Sequence, residues 1–114
     1  MVTMKIIDEK DCPVRKTMGI IGGKWKPIIL YYVKNLGVCR FGELLRYIPH
    51  ITKKMLTQQL RELERDGIIH RKVFPQVPPR VDYSLTKEGK TLEPILNSMA
   101  EWGAKHRASK RRVK

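Results

Sequence analysis

Apolar residues recur at helical spacing along most of the chain. Between Pro13 and Ile21, Val14, Met18 and Ile21 share a face, and Gly22-Gly23 ends the run. Pro13 suits a first helical position, where its missing N–H has no partner to lose. From about Lys24 to Leu36, Trp25, Ile28, Ile29, Tyr32 and Leu36 follow the same period, and Gly37 is placed as the terminator. Pro27 falls in the first turn of that helix, which tolerates it. Phe41 to Ile48 predicts a short third helix carrying Phe41, Leu44, Leu45 and Ile48, broken by Pro49-His50. Thr52 can cap a fourth helix that runs to Arg65 and stops at Asp66-Gly67.

The period then changes. Ile68 to Phe74 is rich in β-branched and aromatic residues, and Val81, Tyr83 and Leu85 alternate with Asp82 and Ser84. Pro75, Pro78 and Pro79 fill the stretch between them, which predicts a stiff hairpin loop. A long last helix is predicted from near Thr86, with Leu92, Ile95, Leu96, Met99 and Trp102 as its apolar stripe. Four helices, a hairpin and a helix, with helices three and four short and joined by a tight turn, describe a mainly α winged helix-turn-helix with a β-hairpin wing. The division expected is a flexible N-terminal arm over 1–11, the winged domain with its flanking helices over 12–104, and a basic disordered tail over 105–114.

The fourth helix has two unlike faces. Leu56, Leu60 and Leu63 fall on one side, and Lys54, Thr57, Gln58, Arg61 and Arg65 on the other. In a helix-turn-helix the second element enters the major groove, where Arg61 can bond guanine O6 and N7 and Gln58 adenine N6 and N7. Thr52, Lys53, Lys54, Thr57 and Arg65 suit phosphates or base edges. Arg80, at the hairpin loop, is a candidate for the minor groove. A solvated polar face and a stiff surface loop are the plainer readings of the same residues.

Charge favours double-stranded DNA as the partner. Lys and Arg number 24 against 11 Asp and Glu, a net +13, and such an excess repels itself unless a polyanion relieves it. The tail adds Lys105, Arg107, Lys110, Arg111, Arg112 and Lys114 without an acid. Leu92, Ile95, Leu96, Met99 and Trp102 exceed what so small a domain can bury, so the last helix, with Val14 and Met18 of the first, is the candidate dimer interface. The alternative is that this helix folds back onto its own chain.

Enzyme chemistry finds little purchase. His50, His70 and His106 lack metal-ligand spacing, and neither a metal nor a cofactor is expected. Gly22-Gly23-Lys24 resembles the end of a phosphate loop, but Trp25 stands where Ser or Thr is required. No apolar run approaches the ~20 residues of a membrane span. With no signal-peptide pattern, a cytoplasmic, nucleoid-associated protein is expected. Cys12 and Cys39 are expected to be reduced thiols. Cys12 precedes the first helix, whose dipole, with Arg15 and Lys16, favours negative charge there, while Asp11 opposes it. It reads either as a reactive thiol or as a small apolar cap.

The segments CPVRKTMGIIGGKWKPIILYYV, ITKKMLTQQLRELERDGII, VFPQVPPRVDYSLTKEGKTL and AEWG, in that order, resemble the HxlR-type winged-helix regulators of bacteria over about residues 12 to 103. The resemblance implies a homodimeric transcription factor that binds a palindromic operator and dimerises through its first and last helices. It makes Thr52 to Arg65 the recognition helix and PQVPPR the wing tip. In several members the cysteine matching Cys12 senses electrophiles or oxidants, which implies a small thiol-reactive inducer. Cys39 stands where the family usually has another residue. Two other functions fit the charge or the fold: a small basic RNA- or ribosome-associated protein, and a protein-interaction module. Against RNA, Trp25, Tyr32, Phe41 and Tyr83 all fall in apolar patterns and are not offered for base stacking.

Overall fold

The computed structural model describes residues 12–106. The expected arm over 1–11 and residues 107–114 of the expected tail lie outside the described residues, while Lys105, expected in that tail, ends the last helix. The elements are α1 (Pro13–Ile21), α2 (Lys26–Leu36), α3 (Phe41–Tyr47), α4 (Lys53–Arg65), β1 (Ile69–Phe74), β2 (Arg80–Leu85), α5 (Lys87–Lys90) and α6 (Glu93–Lys105). This is the expected mainly α winged helix-turn-helix.

α2 is the centre of the core. Its Ile29, Leu30 and Val33 are fully buried against Leu44 of α3 and Leu56, Leu60 and Leu63 of α4. The two faces read from the α4 sequence are therefore real: leucines in, cations and amides out. Thr52 Oγ1 accepts from the Met55 N–H at 3.1 Å, satisfying one free donor at the start of α4. At its other end Gly67, at φ 76°, lets the Ile68 N–H reach the Leu63 carbonyl at 2.9 Å. That 6→1 bond turns the chain from helix into strand.

Between α3 and α4 the turn buries Ile48 and Ile51 and puts His50 at φ 67°. β1 and β2 pair antiparallel from Ile69↔Leu85 to Phe74↔Arg80. Cys39 and Tyr83 exchange backbone bonds of 2.9 and 2.7 Å, so the α2–α3 linker is stitched to the outer side of β2. The wing is thus fixed to the helix-turn-helix rather than hanging from it.

Two expectations about the C-terminal segment are corrected. The single helix from Thr86 is two, with Thr86 capping α5 and the chain turning at Thr91-Leu92. Pro94 accounts for the break: its ring cannot follow a helical turn and it lacks the N–H the turn would use, so it sits in the first turn of α6. Leu96, expected at a dimer interface, is 2 % exposed and belongs to the core of its own chain, whereas Met99 and Trp102 keep 49 % and 57 % exposure. Leu92 is half-buried and packs against the same core. Among the described residues no helix is long and apolar enough to cross a membrane.

Candidate nucleic-acid interface

The outer face of α4 opens on a shallow concavity of about 480 Å3 lined by Lys53, Lys54, Thr57, Gln58, Arg61 and Glu62. Lys53, Lys54, Gln58 and Arg61 are exposed, and Thr57 is half-buried. The residues read from sequence as DNA contacts on α4 are therefore side by side. Besides Gln58, whose amide faces Glu62, two of them have other duties. Thr52 uses its hydroxyl oxygen as the helix cap, and Arg65 Nε lies 3.4 Å from Asp66 Oδ1.

Glu62 was not foreseen in this face. Its Oε1 is 2.6 Å from Nζ of Lys26, which is 8 % exposed at the start of α2. The hydrogen bond and charge of Lys26 hold the Glu62 carboxyl below the ordinary glutamate range, helped by Gln58 and Arg65. The signal in the sequence was one helical turn between Gln58 and Glu62; the partner on α2 required the fold.

Arg80 departs from its expected position. It opens β2 at the base of the loop, not at the tip, and is only partly exposed. Its guanidinium lies 3.9 Å over the Phe74 ring, and Nη2 is 3.2 Å from Asp82 Oδ2. Asp82 also faces Arg40 Nε at 3.7 Å. In this structure the guanidinium therefore packs on the wing and does not project from the loop tip. The cation the sequence reading passed over is Arg71. It is exposed on β1, opposite Tyr83, and lines a cleft of about 310 Å3 with Phe41, Thr57 and Arg61 between the wing and α4.

Cys12 is the N-cap residue of α1 and is partly exposed. Cys39 is buried, and desolvation, with Glu43 and Asp82 adding, pushes its thiol up to about 12. On α1, Val14 and Met18 are exposed, as are Ile95, Met99 and Trp102 on α6. Of α1, only Ile21 is buried.

Residues 20–111 match the family described as HxlR-like helix-turn-helix. The chain belongs to that family. Among its relatives, the HTH-type transcriptional regulator YdeP of Bacillus subtilis is 56% identical over 100 residues, spanning 88% of this chain and 77% of YdeP. Of solved structures, the redox regulator HypR in its oxidized form is 57% identical, with a TM-score of 0.80 over 84% of this chain and 98% of that one. The reduced form of the regulator YodB from B. subtilis is 34% identical, with a TM-score of 0.68 over 81% of this chain and 90% of YodB. This HxlR-family chain is accordingly a DNA-binding transcriptional regulator of helix-turn-helix type, not an enzyme.

Proposed function

We propose that this HxlR-family regulator binds a palindromic operator as a homodimer, one α4 in each half-site, under control of thiol chemistry at Cys12. The observation that carries the reading is the exposed polar face of α4, with Gln58 and Arg61 at its centre and three buried leucines behind it. Dimerisation is supported by Val14, Met18, Ile95, Met99 and Trp102, large apolar side chains left exposed on the first and last helices. An apolar groove of about 290 Å3 between α2 and α6, bordered by Ile28, Tyr32, Leu96 and Met99, adjoins them. Thiol control is supported by the accessibility of Cys12 at the head of α1 and by the similarity to a redox regulator. A small electrophile or oxidant is the inducer class proposed.

The test is binding-site selection from random duplex followed by titration at several salt concentrations. The selected site is expected to be dyad-symmetric, with half-site centres roughly 10 bp apart. Affinity is expected to fall steeply with salt as phosphate contacts release counterions. Electrophile treatment is expected to weaken binding by the wild type and not by Cys12→Ser. Equal loss in both proteins, or no response, would assign the signal to another group.

A further inference from the structure

Glu62 is the acid among the cations and amides that line the α4 concavity. An uncompensated carboxylate beside DNA would repel phosphates. Lys26 compensates it from α2, with Nζ 2.6 Å from Oε1 and a side chain nine-tenths buried. The other oxygen, Oε2, faces Gln58 Nε2 at 3.5 Å, a long hydrogen bond. An ionised carboxylate only accepts, so it dictates which end of the Gln58 amide lies against it. The nitrogen turns toward Glu62, and the carbonyl turns away with one N–H still free.

That fixed sense matters for reading a base. Bidentate contact with adenine needs the amide carbonyl on N6–H2 and an N–H on N7. An amide free to flip can instead offer its donors to guanine O6 and N7, and the preference is blurred. We propose that Glu62, anchored by Lys26, is a positioning residue that sets the amide orientation of Gln58 and so the base preference at the position Gln58 reads. The inference rests on the reading of α4 as the base-contacting helix.

The experiment measures affinity of the full chain for the selected operator, its single-base variants and random duplex. Gln58→Ala first identifies the base position at issue. Glu62→Gln is expected to cut the preference at that position roughly 5- to 10-fold, within the range of one bidentate contact, and to leave the other positions as they were. Because both residues act on one contact, Gln58→Ala combined with Glu62→Gln is expected to lose no more there than Gln58→Ala alone. Lys26→Arg is expected to keep the preference and Lys26→Met to lose it, and this pair decides the matter if Glu62→Gln does not fold. Unaltered preference in Glu62→Gln, or a loss spread evenly over all positions, overturns the proposal while the reading of α4 stands. If Gln58→Ala relaxes no position, that reading fails and the proposal with it.

Discussion

His50 holds φ 67° in the turn that joins α3 to α4, a conformation that strains any side chain branched at Cβ. The turn sets the angle between the two helices, so this strain is tied to how α4 is presented. His50→Val is expected to cost on the order of 1–2 kcal/mol in urea denaturation, and His50→Gly much less. Gly89 is fixed by space, not by φ: a Cβ there would collide with the Ile68 backbone carbonyl. Gly89→Ala should therefore destabilise by about 1–3 kcal/mol, the range for overpacking a filled site. The two thiols differ for a similar reason of place. Cys39 is buried with its thiol pushed up to about 12, so a maleimide probe is expected to label Cys12 first and Cys39 only as the domain opens. Labelling at equal rates would show that the α2–α3 linker opens locally.

At the scale of elements, the Lys26–Glu62 pair joins the first turn of α2 to α4. Glu62 is held low chiefly by the Lys26 hydrogen bond and charge, with Gln58 and Arg65 of its own helix assisting. A carboxyl depressed in the folded state contributes stability above its unfolded range and loses it as pH falls through the folded one. The stability gap between wild type and Glu62→Gln is thus expected near neutrality and to close on acidification below the ordinary glutamate range; a constant gap would point to packing. The helix-turn-helix and the wing were legible because their periods, caps and turn residues act locally. Thr52, Gly67 and the α4 leucines all serve as their sequence positions imply. The break at Thr91-Leu92 was missed because the apolar stripe runs on through Pro94, whose missing N–H outweighs it. Arg80 and Glu62 were illegible for another reason. Phe74 meets Arg80 through strand pairing and Lys26 meets Glu62 through tertiary packing, which no local pattern encodes, whereas Asp82 follows Arg80 by two residues on the same strand face.

For the molecule as a whole, α1 and α6 frame the reading unit and leave apolar side chains uncovered. Leu96 is core, so its truncation to Ala is expected to cost about 2–5 kcal/mol in folding. Met99 and Trp102 are exposed, so Met99→Glu with Trp102→Glu is expected to give folded monomers in light scattering and to weaken operator binding. Dissociation without loss of operator affinity would contradict the two-half-site reading. The proposed sequence reading by the polar face of α4 is tested by the ratio of affinities for selected and random duplex at one salt concentration, for wild type, Gln58→Ala and Arg61→Ala. The wild-type ratio is expected to be at least about 10³, with each substitution losing roughly 1–3 kcal/mol at one base position per half-site. A ratio near one, or a high ratio untouched by either substitution, would contradict it.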